Sequence, residues 1–228
     1  MTDSDIQRVP SAQLEDLAFI VLSARTDGEG FSPYPDIGDD MRTRLRSRIK
    51  QLSRYDWPSS LRDDPAFRRG LTLRQCLRLT VALLLLDAHL PPSLAVMLAQ
   101  NNELGVLRAV SAALSPKPEA RMTADDAVAV IFATEIQDTL EFLNRFEVQE
   151  ERIRFVRRAD VAQIWSGDCA GSGARIIVDA VTATAALWRW LSERRLMSDA
   201  ARVELMVEIE VASARPEFER VTDRKLRR

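Results

Sequence analysis

The residues best suited to chemistry lie between Met41 and Trp57. There Arg42, Arg44, Arg46, Arg48, Lys50 and Arg54 crowd into roughly three helical turns, and Tyr55 and Trp57 close the segment. Arginine carries a planar fork of donors that fits two phosphate oxygens or the edge of guanine, so the composition points to anion binding and to nucleic acid in particular. The chain as a whole balances 32 Lys and Arg against 34 Asp and Glu, a formal net charge of -2. A nearly neutral chain that gathers basic residues in one segment is separating charge in space, and phosphate is the commonest reason to do so. The competing readings are a merely solvated helix face and a helix that docks on an acidic protein partner.

Other chemistry has little to build on. The one histidine, His89, falls at an apolar helix end, and any Ser-His-Asp triad or histidine metal site would rest on it alone. Cys76 and Cys169 lie far apart and outside any paired motif, which argues against a disulfide framework or a structural zinc and for a reduced compartment. Cys76 sits in a leucine-rich run and reads as a small buried apolar residue. The glycine-rich stretch 166–173 lacks the lysine and Ser/Thr pair of a phosphate-binding loop and reads as a hairpin connection. Asp36, Asp39 and Asp40 read as a solvated loop whose acids favour the start of the next helix, rather than as metal ligands. No carboxylate pair, nucleophile elbow or thiol with a nearby base emerges, so the expectation is a protein that is not an enzyme, with no catalytic residues, no metal and no cofactor.

These residues need a scaffold, and the apolar spacing supplies one. Residues 1–10 read as a disordered tail. Ser11 is placed to cap a helix whose Leu14, Leu17, Ala18, Val21 and Leu22 share one face. Residues 26–40, with three glycines and two prolines, make a loop. In the basic helix from Met41 to Tyr55, Leu45, Ile49 and Leu52 fall on one stripe at i, i+4 and i+7, so that one side faces a core and the cationic remainder faces outward. Phe67 to Leu71 could form a short strand or the tip of a wing, presenting Arg68 and Arg69.

Thr72 caps a helix that runs to Asp87, and its Leu83-Leu84-Leu85-Leu86 tail is apolar all round and therefore central. Pro91 and Pro92 end it, and Ser93 is placed to cap the next helix, which carries Leu94, Met97 and Leu98. A further amphipathic helix spans 101–114, and Ser115-Pro116-Lys117-Pro118 is the best linker in the chain. From Met122 a long helix is expected, with Val130, Ile131, Thr134, Ile136, Leu140, Leu143 and Phe146 at near-helical spacing. It could serve as a dimer arm or as a core helix of a second domain. Strands are expected at 153–156 and 174–178, joined through the glycine-rich stretch, followed by a helix over 180–195 with Trp188 and Trp190. Residues 202–211 alternate apolar and acidic side chains as a strand does, while their composition and the Ser198-Asp199-Ala200-Ala201 start favour a helix, so both readings stand. The tail, Arg220 to Arg228, is basic.

The order of elements between residues 42 and 99 resembles the winged helix-turn-helix of MerR-type transcriptional regulators. It runs through a basic helix ending in Tyr55, a short arm Phe67-Arg68-Arg69-Gly70, a helix opened by Thr72-Leu73-Arg74 and a Pro-Ser-Leu start to the next. The resemblance implies that the basic helix enters the major groove and that an arginine of the arm reaches the adjacent backbone.

The reading as a whole is a mainly α protein. Residues 11–115 form a winged helix-turn-helix-like DNA-binding domain, a long helix and a small α+β C-terminal domain occupy 119–214 and serve dimerisation or a protein partner, and 215–228 is a basic tail. Its expected DNA contacts are Arg42, Arg44, Arg46, Arg48, Lys50, Arg54, Tyr55, Arg68 and Arg69, and its expected partners are double-stranded DNA and a second copy. The alternative is a non-enzymatic adaptor or inhibitor. Acidic residues at the N-terminus, where a signal peptide needs positive charge, and the brevity of the Leu79 to Leu86 run favour a cytoplasmic protein without membrane segments.

Overall fold

The computed structural model describes residues 7–24, 31–59, 64–114, 127–132, 153–157 and 175–213. They form a mainly helical protein with one small antiparallel sheet. The centre is helix α3, which the sequence marks most strongly. It spans Leu73–Asp87, and it opens with a capping box in which the Gln75 amide donates to Thr72 Oγ1 at 3.3 Å and the Thr72 amide donates to Gln75 Oε1 at 2.9 Å. Leu77, Leu79, Ala82, Leu83 and Leu85 are all at most 1% exposed, as the apolar positions of a helix packed on several sides must be.

Two helices pack beside α3. α1 (Leu14–Leu22) and α2 (Asp39–Ser53) contact each other and α3, and α2 also meets α4 (Pro92–Asn101). α1 does not start at a Ser11 cap. The Gln13 amide donates to the Pro10 carbonyl at 2.9 Å, which tightens Ser11–Gln13 into a 3-10 turn, and the Ser11 hydroxyl donates to the Arg68 carbonyl instead. α2 begins two residues before Met41, with Asp39 and Asp40 in its first turn, where the helix dipole favours them.

α4 follows a tight turn with His89 at φ 64°. Its N-cap position belongs to Pro91 and its first helical residue is Pro92, so the expected Ser93 cap is absent: proline at that first position needs no amide partner. α5 (Glu103–Ser111) and a 3-10 turn, Ala112–Leu114, complete this half.

The expected strand or wing at Phe67 to Leu71 is a 3-10 turn, Phe67–Arg69. It ends at Gly70, φ 139°, and Leu71 then makes a single antiparallel bridge with Val9 through mutual backbone bonds of 2.7 and 2.9 Å. Gly70 is required there, since a Cβ would lie 2.2 Å from the Val9 carbonyl oxygen. One bridge to the N-terminal chain leaves no two-stranded wing at these residues.

The long helix expected from Met122 is also replaced where it can be seen. Ala127–Phe132 is strand β1, in which the β-branched Val128, Val130 and Ile131 favour an extended backbone. β1 is the middle strand, flanked antiparallel by β2 (Ile153–Arg157) and β3 (Arg175–Val178), with Val130 opposite both Arg154 and Ile177. The expected strands are therefore present, but β2 and β3 each pair with β1, not with each other, which removes the expected hairpin. Thr134, Ile136, Leu140, Leu143 and Phe146, the linker 115–118, Cys169, the loop 166–173 and the basic tail lie outside the described residues.

α6 (Ala180–Glu193) starts at Asp179, whose carboxylate accepts from the Thr182 amide at 3.0 Å. It buries Leu187, Trp188, Trp190 and Leu191 against α1, α3 and α5. α7 (Asp199–Ser213) resolves the helix-or-strand ambiguity of 202–211 in favour of helix, packing Leu205 and Ile209 on α5 and α3. The core is one cluster that runs from Val9 through α3 to Ile209, so the helices on either side of the linker share it. Among the described residues no helix is long and apolar enough to cross a membrane.

Candidate nucleic-acid interface

α2 carries the basic cluster, and its burial follows the sequence stripe. Leu45 and Leu52 are buried, Ile49 packs half-buried against the core, and the opposite side faces solvent. The cationic residues then divide into two groups by their angular position. Arg42, Arg46 and Arg48 flank the buried stripe and reach carboxylates of neighbouring helices. Arg42 Nη1 donates to Asp16 at 3.1 Å and lies 3.6 Å from Glu15. Arg46 Nε donates to Glu15 at 2.7 Å, and Arg48 Nη1 donates to Asp87 at 2.6 Å. The Arg46 guanidinium is held further above its ordinary value by its hydrogen bond to Glu15 and by that carboxylate's charge.

Arg44, Lys50 and Arg54 point away from the core and are exposed. Among the described residues they have no carboxylate partner. Lys50 and Arg54, four residues apart, continue the line of Thr43 and Ser47, while Arg44 and Gln51 stand beside it. Tyr55 follows with 48% of its surface exposed. Arg46 keeps 67% of its side chain exposed despite its ion pair, so it borders the same ridge. Trp57, which shares the end of the segment with Tyr55, goes the other way: it is buried, its Nε1 donates to the Arg78 carbonyl at 3.0 Å, and the Arg78 guanidinium lies over its ring.

Arg68 and Arg69 are exposed on their 3-10 turn, whose backbone is fixed by the Arg69 amide to Ala66 and the Gly70 amide to Phe67. The turn is anchored to Val9 and Ser11 rather than to α2. It therefore stands one turn ahead of the Glu15 and Asp16 that hold Arg42 and Arg46. The site that results is a narrow ridge on α2 and a separate pair of arginines at the start of α1.

The carboxylates that neutralise half of the cluster, Glu15, Asp16 and Asp87, are the functional residues that residue types alone did not single out. A signal existed for two of them, since Glu15 and Asp16 fall off the apolar face of their helix and must look toward a neighbour or solvent. Nothing local marks Asp87 as the partner of a residue 39 positions earlier.

A second polar centre has a structural character. Glu103 accepts from Arg74 Nε at 2.7 Å and from Arg78 Nε and Nη2 at 2.8 and 2.9 Å, and Arg74 also meets Glu208 of α7. Burial alone raises the Glu103 carboxyl, but the hydrogen bonds and charges of Arg78 and Arg74 outweigh it and hold the group below its ordinary range. Asp64 is likewise held low: burial raises it, and the bonds from Arg8, Gln75 and the Ala66 amide lower it by more. Burial pushes the Cys76 thiol well above the usual range, so it is a protonated core group. No cluster of three or more potential metal ligands occurs among the described residues. Comparison with protein-family models, curated proteins and solved structures gave no match.

Proposed function

We propose that this chain is a cytoplasmic DNA-binding regulator that grips duplex DNA through the exposed ridge of α2. The observation that supports the reading is a rigid helix, buried along Leu45, Ile49 and Leu52, that turns Arg44, Lys50, Arg54 and Tyr55 to solvent unpaired by carboxylate among the described residues. Arg44 and Arg54 suit base edges and phosphates through their planar forks, Lys50 suits phosphate as a point charge, and Tyr55 adds a ring and a hydroxyl at the end of the row. Arg42 and Arg48 are structural ion-pair residues in this proposal and Arg46 is intermediate. Arg68 and Arg69 make sequence-independent backbone contacts. The MerR-like order of elements favours α2 as the groove-entering helix, with the 3-10 turn in the position of the family's wing, and a homodimer made through the C-terminal part.

The test is a titration of the purified protein against duplex DNA at two salt concentrations. Binding that falls linearly in log K with log salt supports the reading, and absence of salt-sensitive binding overturns it. The second reading is an adaptor on an acidic protein, favoured by the fact that α2 already satisfies Arg42, Arg46 and Arg48 with protein carboxylates. A stable protein partner retained on size exclusion after nuclease treatment, in a sample free of nucleic acid by absorbance ratio, would select it.

A further inference from the structure

α7 buries Leu205 and Ile209 and turns its opposite face outward, and that outward face is not composed for water. Val203, Val207 and Val211 recur every fourth residue on it with 51%, 52% and 60% of their surface exposed. Valine is a poor choice for an exposed helix position, since its branched side chain loses freedom in the helix and gains nothing from solvent. A groove of about 510 Å³ runs beside the row, lined by Arg108, Ser111, Val203, Met206, Val207 and Glu210. Carboxylates border the valines on both edges. Glu204 and Glu208 follow one side at helical spacing, and Asp199 and Glu210 the other. Glu208 is already paired with Arg74 and Asp199 with Arg202, which leaves Glu204 on one edge and Glu210 on the other without a cation partner among the described residues.

We infer that the outward face of α7 is a docking surface for an amphipathic helix with basic edges, supplied by a partner protein. The valine row takes the apolar stripe of that helix in the manner of helix-in-groove recognition, and Glu204 and Glu210 select the charge of its edges. The same charges argue against a second copy as the occupant. Antiparallel pairing of two α7 helices about Val207 would set the Glu204 carboxylates of both copies along one edge and the Glu210 carboxylates of both along the other, and like charges so placed oppose association. The inference concerns a different surface from the α2 ridge and does not depend on DNA binding.

The test uses the full chain and two fluorescent synthetic amphipathic helices with identical leucine stripes, one edged with lysine and one with glutamate, read by anisotropy. The lysine-edged peptide should bind saturably and at least about tenfold more tightly than the glutamate-edged one. Val207→Asp, a change at an exposed site checked by circular dichroism, should remove that binding. The Glu204→Lys, Glu210→Lys double variant should reverse the peptide preference, which a fold defect would not do. Absence of binding, equal binding of both peptides, or binding that survives Val207→Asp overturns the proposal. So does a dimer of the protein that Val207→Asp disperses, since that result would give the face to a second copy.

Discussion

Glu15 sets how much of the arginine helix is open to an outside anion. Its carboxylate holds Arg46 at 2.7 Å and stands 3.6 Å from Arg42, so a phosphate approaching either guanidinium must compete with a group already in place. Glu15→Gln removes the charge while keeping the size. Under the DNA-binding reading this variant should bind duplex DNA more tightly at low salt and steepen the plot of log K against log salt by about one, the effect of one further phosphate contact. Arg54→Ala should act in the opposite sense, weakening binding and lowering the slope by about one. Gel-shift or anisotropy titrations over a salt series check both. If Arg54→Ala changes nothing while the parent protein binds, the ridge is not the contact. The cationic cluster and its apolar back were legible in residue types and spacing. Its division into paired and unpaired members was not, because that depends on carboxylates from α1 and α3 whose positions only the packing fixes.

At the scale of elements, α3 is held by its start and by its partners. Thr72 and Gln75 satisfy each other's amides, and Gln75 also donates to Asp64 at 2.7 Å, which links the cap to Arg8 and the N-terminal chain. Thr72→Ala should therefore cost about 1 kcal/mol in urea unfolding, with the midpoint shifted and the slope unchanged. Farther along, Glu103 joins α5 to α3, and Arg74 carries the link on to Glu208 of α7. Because Glu103 and Asp64 have folded-state pKa values below their unfolded ones, the folded protein binds their protons less readily. Their contribution is complete above the unfolded carboxylate range and is lost as pH falls below about 4.5 through the folded values. Glu103→Gln should lower stability at neutral pH, where it takes from Arg78 its carboxylate and leaves Arg74 only Glu208, and flatten the acid limb of the stability profile. An unchanged acid limb would remove Glu103 from that role. Helices such as α3 and α6 could be read from their spacing because one periodic face runs their full length. β1 could not, because Val130 and Ile131 fit a helical face and a strand equally well, and pairing with both β2 and β3 decides between them.

For the molecule as a whole, the sequence suggests a division near residues 115–118, yet the buried residues do not respect one. Trp190 and Leu187 of α6 lie in the same cluster as Leu17 of α1 and Leu83 of α3. Arg202 of α7, itself buried, donates to the Leu114 carbonyl at 2.9 Å. A pattern of prolines shows where a chain can turn away, but it carries no information on whether the following segment folds back onto the preceding core. The consequence is a single unfolding unit for the described helices. Leu187→Ala opens a cavity at a fully buried site and should cost about 2–5 kcal/mol. That cost should appear in α3, which ends 100 residues before Leu187 and on the other side of the linker, as fully as in α6. Peptide-resolved hydrogen exchange is the measurement, since it reports the opening free energy of each helix separately. Equal loss of protection in α3 and α6 is the expected outcome. Loss confined to α6 and α7, with α3 untouched, would mean that the two halves open independently, and that the buried contact between α6 and α3 does not couple them.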